Sequence, residues 1–216
     1  MLGLIGKKLG QTRVYDASGT AVPVTVVLAG PNFVTQKKTV DTDGYNAVQL
    51  AFGSQKDARL SKAVAGHLAK AKVPAARKLR EFRDFTLDVK AGDQVTVNIF
   101  AEGDYVDAIG VTKGRGFEGV VKRHGFRGGD ITHGAKGWHR RSGAIGQRLF
   151  PGTVMRGMRM PGHMGRVQRT VQNLQVIKVL EADHLLLVKG AVPGARGDYV
   201  IIRESKKLPK AAAAKK

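Results

Sequence analysis

A glycine motif is the first feature of this sequence whose spacing suggests chemistry. Residues 114–119, GRGFEG, match the G-x-G-x-x-G pattern of dinucleotide-binding sites. Such a site needs a helix after the third glycine and an acidic residue about 20 positions further on. Here three glycines within residues 125–129 interrupt any helix, and position 139 is a histidine. Because Lys113 and Arg115 flank the glycines, the motif favours contact with a phosphate backbone over a bound nucleotide cofactor.

Four of the six histidines lie close to this motif and are the next candidates for a functional site. His124, His133, His139 and His163 are separated by 9, 6 and 24 residues, which match no common metal-site spacing, and no carboxylate cluster accompanies them. The sequence has no cysteine, no serine in a nucleophile-elbow context and no paired carboxylates within this segment. We therefore predict no metal site, no cofactor and no catalytic residues, and a nucleic-acid contact for the histidines.

The motif and the histidines lie within an unusual segment, residues 112–166. Its 55 residues include 14 glycines and 12 Lys or Arg against two acids, a net charge of +10. Loops longer than about 15 residues within a domain are uncommon, and are functional or disordered. Simple disorder fits poorly because the segment also carries Trp138, three phenylalanines and four of the five methionines. Glycines let the backbone approach a surface closely, cations bind phosphates, and aromatic rings stack on bases. This combination predicts a segment that becomes ordered when it binds RNA.

We predict that the cationic and histidine side chains of this segment bind RNA, together with Trp138, which lies among cations and is predicted to stack on a base or pack against RNA. The predicted residues are Lys113, Arg115, Lys122, Arg123, His124, Arg127, His133, Lys136, Trp138, His139, Arg140, Arg141, Arg148, Arg156, Arg159, His163 and Arg166. Two further basic runs, residues 37–38 and 77–80, suit a nucleic-acid contact and a solvated charged face about equally.

Strand patterns on both sides of the segment predict the scaffold. A turn at residues 16–19 joins strands at 12–15 and 21–28, and residues 41–44 join strands at 32–40 and 47–52. Ser61 is predicted to cap a helix over 61–71, and a short basic helix follows at 75–81. Further strands are predicted at 85–89, 94–100, 105–112, 169–180, 185–189 and 198–203.

Short strands separated by frequent turns predict a mainly β fold with a closed or nearly closed barrel. The barrel domain is predicted over residues 1–111 and 167–205, with a helical insertion near 61–81. Residues 112–166 are predicted to form an extended, irregular loop that penetrates RNA, and residues 206–216 a flexible basic tail.

Net charge indicates the class of binding partner, and hydropathy indicates whether the chain has a membrane segment. The 216 residues carry a formal charge of +20, which calls for a polyanion: nucleic acid first, an anionic membrane surface second. No stretch approaches 18 consecutive apolar residues, and the start of the chain does not resemble a signal peptide. We therefore expect a cytoplasmic protein with no membrane segment.

Several motifs resemble those of one ribosomal family. They are VTKGRGF at 111–117, THG at 132–134, GAIGQ at 143–147, MPGHMG at 160–165, LIGKKLGQT at 4–12 and the stretch 185–194. Together they resemble the bacterial form of the large-subunit ribosomal protein L-three family, over nearly the whole chain. One departure is Trp138, which bacterial members often lack, so no role is transferred to it.

The resemblance implies a fold, partners and a modification. It implies a translation-protein-type β-barrel with a small α/β insertion, which binds large-subunit (23S-type) rRNA near its 3′ end. The loop would extend toward the peptidyl-transferase centre, and the protein would nucleate early assembly beside ribosomal proteins resembling L-fourteen and L-nineteen. It also implies that a glutamine methyltransferase converts Gln147 to N5-methylglutamine.

Two other functions remain open at this point. An rRNA-modifying enzyme would need a cofactor motif, and the one candidate, at 114–119, lacks the required context. An architectural DNA-binding protein would use basic arms, but such proteins usually bend a regular duplex. A long glycine-rich segment suits folded RNA better.

Overall fold

A closed antiparallel barrel organises the first of two compact units in this chain. The computed structural model describes residues 1–208, and these divide into Met1–Thr112 with the residues from Gln168 onward, and Lys113–Val167. We call the first the barrel unit and the second the basic unit. The barrel strands, in spatial order, are β1 (Gly3–Tyr15), β12 (Tyr199–Glu204), β7 (Tyr105–Val111), β10 (Gln168–Leu180), β11 (Leu185–Lys189) and β2 (Ala21–Leu28).

The β1–β2 hairpin forms where the sequence predicts it. Gly19, with φ of +78°, donates its amide to the Asp16 carbonyl at 2.8 Å, so the chain reverses and Tyr15 pairs with Ala21. The first strand begins much earlier than predicted, at Gly3. A Cβ on Gly6 would lie 2.6 Å from a Val27 methyl carbon, so glycine is needed for this close approach of strands.

A four-stranded sheet adjoins the barrel in the same unit. Its order is β5 (Ala76–Arg83), β4 (Ala47–Ser54), β3 (Asn32–Lys38) and β6 (Gln94–Val95). A one-turn helix, α1 (Val40–Asp43), connects β3 to β4. Between β4 and β5 lies α2 (Lys62–Lys70), where the Ser61 hydroxyl accepts a hydrogen bond from the Val64 amide, as the sequence predicts.

Two cores hold this unit together. The larger joins barrel and sheet through fully buried side chains, among them Leu4, Val27, Leu50, Val106 and Ile202. The smaller lies under α2 and contains Ala51, Leu68, Ala71, Val73 and Ala76. The predicted mainly β fold, built on a closed barrel with few helices, is confirmed.

Three local predictions are wrong. The basic helix predicted at 75–81 is strand β5, because its backbone pairs with β4 along its length and Phe82 packs into the larger core. Residues 85–89 form no strand. The strand predicted over 94–100 is confined to Gln94–Val95, and a 3₁₀ turn, Val97–Ile99, follows because Val97 and Phe100, three residues apart, both point into the core.

The end of the chain lies largely outside the described residues. Of the basic tail predicted at 206–216, only residues 206–208 are described, and the Lys207 and Leu208 amides donate to the Ser205 hydroxyl. Within residues 1–208, no helix is long and apolar enough to cross a membrane.

Candidate nucleic-acid interface

A short strand pair joins the two ends of the basic unit. Strand β8 (Gly116–Glu118) pairs with β9 (Gly162–Met164), and the Arg115 amide donates to the Met164 carbonyl at 2.9 Å. Gly165 has a φ of +77°, and a Cβ there would lie 2.2 Å from the Lys113 carbonyl oxygen. Only glycine therefore lets the two ends approach this closely.

Helix α3 (Val120–His124) adds an internal contact to this strand pair. Arg123 donates from Nη1 to the Met160 carbonyl at 2.7 Å, and Nε2 of His124 lies 3.0 Å from the same oxygen. Lys122 pairs with Glu118 one turn earlier. Gly125, in the left-handed conformation, ends the helix after five residues, as its position in the sequence predicts. Arg123 and His124 thus contribute to the fold of the unit through the Met160 carbonyl.

A second internal contact of the basic unit encloses the segment that contains Trp138. The Gly129 amide donates to the His139 carbonyl at 3.1 Å, and a Cβ on Gly128 would lie 2.2 Å from that oxygen. This contact closes the segment that contains the 3₁₀ turn His133–Trp138. The Arg141 guanidinium lies 4.6 Å from the centroid of the Trp138 ring, and the Trp138 side chain is 59% exposed. Trp138 is therefore held by a cation–π contact and remains accessible.

The predicted binding residues all lie in the basic unit. Arg123, His124 and His139 are half-buried. The exposed ones are Lys113, Arg115, Lys122, Arg127, His133, Lys136, Trp138, Arg140, Arg141, Arg148, Arg156, Arg159, His163 and Arg166. Gln147 is exposed too, in irregular backbone.

The positive charge of this unit is nearly uncompensated. Lys122 pairs with Glu118, and Arg127 pairs with Asp130 at 3.0 Å. Across residues 1–208, the other ten Lys and Arg side chains of the unit make no ion pair with a carboxylate. The unit therefore presents a broad cationic surface.

Large apolar side chains are exposed among these cations. Within residues 1–208, ten of the seventeen exposed large hydrophobic side chains belong to the basic unit, and of the unit's residues only Val120 is buried. Ile131 is 92% exposed, Phe150 90%, Leu149 87% and Phe117 77%. Sequence reasoning missed Ile131 and Leu149 as candidate contact residues. The signal was available, since both are apolar residues within a glycine-rich basic stretch.

The described residues contain neither a cluster of metal-ligating side chains nor a long helix after the glycine motif. No three His, Asp or Glu side chains among residues 1–208 come close enough to share a metal ion. The glycines at 114–119 lead into strand β8 and the five-residue α3, not into the long helix that a dinucleotide site requires.

A closed barrel that carries a basic, glycine-rich unit with uncompensated charge defines a class of protein built to assemble with a polyanion. Comparison with known proteins identifies the family within that class. The profile of the family described as Ribosomal protein L3 matches residues 51–185. The chain belongs to the ribosomal protein L3 family, and it is a ribosomal protein.

Individual relatives match nearly end to end. The large ribosomal subunit protein uL3 of Deinococcus radiodurans is 49% identical over 207 residues, 96% of each chain. The uL3 protein of Coxiella burnetii is 50% identical, covering 97% of this chain and 98% of its own. That of Nitrosococcus oceani is 48% identical, with coverage of 95% and 97%. The resemblance drawn from the motifs is confirmed.

Proposed function

We propose that this chain is a structural constituent of the large ribosomal subunit that binds 23S-type rRNA through its basic unit, Lys113–Val167. The observation that carries the proposal is the combination of ten unpaired cations with exposed Phe117, Leu149 and Phe150 in one unit. The cations would bind phosphates, and the apolar side chains would pack against unstacked bases or into crevices. Folded RNA offers both, whereas a regular duplex offers mainly phosphates and groove edges.

The site within the ribosome is proposed from family membership. We propose that the barrel unit lies near the 3′ end of the rRNA and that the basic unit reaches toward the peptidyl-transferase centre. We further propose that the protein acts early in assembly, beside proteins resembling L-fourteen and L-nineteen. The exposed side chain of Gln147 supports methylation before assembly, because a methyltransferase would reach the amide on the free protein.

Salt dependence tests the electrostatic part of the proposal. If the basic unit neutralises six phosphates, log K for rRNA fragments should fall against log salt with a slope of about −4 to −5. Removal of Lys113–Val167 should reduce the slope to that of the barrel unit alone. A binding constant that barely changes between low and physiological salt contradicts this account.

Co-sedimentation tests the assignment to the ribosome. The full chain should remain with large subunits through a high-salt wash, because apolar contacts and burial within folded RNA resist screening. A chain with Arg140 and Arg141 changed to Ala should be released earlier. Release of the unaltered chain together with loosely bound factors would overturn the proposal.

A further inference from the structure

The two basic runs of the barrel unit have different environments. Lys37 pairs with Asp88 at 2.6 Å, and Lys38 pairs with Glu81 at 2.8 Å, so both cations of the 37–38 run are neutralised within the fold. In contrast, Lys78 and Arg80 of the 77–80 run make no ion pair with any carboxylate of residues 1–208. The second run is therefore available to an external anion.

Strand geometry keeps the nearest acid away from these two cations. Side chains alternate between the faces of a strand, so Lys78, Arg80 and Phe82 share one face of β5 while Glu81 points to the other. Glu81 is also engaged there, since it accepts hydrogen bonds from Lys38 and from the Tyr45 hydroxyl. Strand β5 lies at the edge of its sheet, with Lys78 and Arg80 exposed.

A cavity of about 270 Å³ opens beside Lys78 and Arg80. This is slightly below the range of about 300–1,000 Å³ that suits drug-sized ligands. Its wall is mainly apolar, and its uncharged polar members are the Tyr199 ring and the exposed Gln168. Besides the two cations, Gln168 and Tyr199, the lining residues are Ile5, Leu79, Ile109, Gly110, Val111 and Ile201.

Tyr199 restrains the cationic side of this cavity. Its ring makes an edge contact with Phe52 at 6.1 Å, which fixes the ring, and Nζ of Lys78 lies 5.6 Å from the ring centroid. The Arg77 guanidinium lies 5.9 Å from the same centroid. Cations held on an aromatic ring lose less side-chain entropy when an anion binds.

We propose that this cavity binds a single unpaired RNA nucleotide. The base enters the apolar cavity, the phosphates on either side contact Lys78 and Arg80, and the Gln168 amide offers a donor and an acceptor to the base edge. The site lies wholly within the barrel unit, so it is a second RNA site that does not depend on the basic unit. Its mainly apolar wall distinguishes it from a surface that attracts phosphates alone.

Photo-cross-linking of the full chain to a short oligouridylate that carries 5-iodouridine tests the proposal. Peptide mapping separates cross-links in the barrel unit from those in Lys113–Val167. We expect a cross-link at Tyr199 whose yield falls about tenfold in Lys78→Gln/Arg80→Gln, because charge-assisted hydrogen bonds to phosphate are lost. Arg80→Gln alone should reduce the yield several-fold without touching the Lys78–Tyr199 contact.

A matched control removes the same charge elsewhere in the barrel unit. Lys62 and Lys70 are exposed on α2, so Lys62→Gln/Lys70→Gln should leave the Tyr199 cross-link unchanged. An RNA duplex of equal charge should compete poorly, because paired bases cannot enter the cavity. Cross-links confined to Lys113–Val167, an equal loss in the control, or equal competition by the duplex or by polyglutamate would each overturn the proposal.

Discussion

At the scale of single residues, the basic side chains of the basic unit differ in their contacts: some bond within the unit, and others are exposed without a carboxylate partner among residues 1–208. Arg123 hydrogen-bonds the carbonyl of Met160, 37 residues away, and His124 lies beside the same oxygen. Arg140 and Arg141 are exposed and have no carboxylate partner among residues 1–208. Substitutions at these two pairs should therefore have different consequences, for the fold of the unit in the first case and for RNA affinity in the second.

Changing Arg140 and Arg141 together to Ala should weaken rRNA binding about tenfold, since two phosphate contacts and the cation–π contact with Trp138 are lost. Filter binding of an rRNA fragment measures the effect. The control is Lys62→Ala/Lys70→Ala, which removes the same charge from the exposed face of α2. Equal losses in the two variants would mean that net charge alone attracts the RNA.

Gln147 should carry a methyl group in protein taken from its native cells. The side chain is exposed, and methylation of its amide nitrogen removes one donor without changing charge. Mass spectrometry should find a peptide heavier by about 14 Da, and Gln147→Ala should abolish the increase. A native peptide of unmodified mass would refute the modification.

The stability of the four-stranded sheet should depend on pH through Glu81. Hydrogen bonds from Lys38, and then from Tyr45, lower the pKa of the Glu81 carboxyl. A carboxyl with a lowered folded-state pKa stabilises the fold above its unfolded pKa of about 4.3, and this stabilisation is lost as pH falls through the folded value.

Urea unfolding gives the free energy of unfolding between about pH 6 and pH 2. This free energy should fall less on acidification in Glu81→Gln than in the unaltered chain, by no more than about 1 kcal/mol. The pKa of Asp88 is likewise lowered, by the hydrogen bond from Lys37, but this pair is more exposed. Asp88→Asn should accordingly change the profile less. Parallel profiles for the unaltered chain and Glu81→Gln would show that the Lys38–Glu81 pair contributes nothing.

At the scale of elements, the ends of the basic unit depend on one glycine. Gly165→Ala should break the strand pair β8–β9, because the new methyl group would meet the Lys113 carbonyl and the residue would keep a positive φ. The cost should be about 1–3 kcal/mol. Hydrogen exchange should report it as lost protection of the Arg115 amide, which donates to Met164.

Gly134→Ala is the matched control for this substitution. A Cβ at Gly134 meets no atom within 4 Å, and its φ is not positive. Protection at the Arg115 amide should therefore be unchanged in this variant. Retained protection in Gly165→Ala would show that the unit can relax around the extra methyl group.

The elements differ in how far sequence predicts them. Helix α2 is predictable because its signals are local, with Ser61 as cap and apolar residues at helical spacing. Strand β5 is not, since Ala, Arg, Lys, Leu and Glu are good helix formers and its pairing with β4 crosses more than twenty residues. The candidate interface is limited in the same way, because its internal contacts also join residues far apart in the chain. Composition predicts which residues are cationic, but not that Arg123 and His124 turn inward to the Met160 carbonyl.

At the scale of the whole molecule, the barrel unit should fold without the basic unit. Val111 and Gln168 are paired neighbours on the antiparallel strands β7 and β10, so a short glycine-rich turn can replace Lys113–Val167 as a hairpin loop. We expect retained β circular dichroism and a cooperative melt within a few degrees of the full chain. Loss of cooperative melting would show that the barrel needs the basic unit.

The order of strands in the barrel also has a consequence during synthesis. Strand β12 lies between β1 and β7, so the barrel cannot close until residue 204 has left the exit tunnel. The basic unit ends 37 residues earlier, at Val167. Translation proceeds at about 5–20 residues per second, so the basic unit, with its charge of +10, is synthesised about two to seven seconds before the last barrel strand is complete. A nascent chain of this protein therefore presents its most cationic part, beside the rRNA of the ribosome that makes it, before its own scaffold has closed.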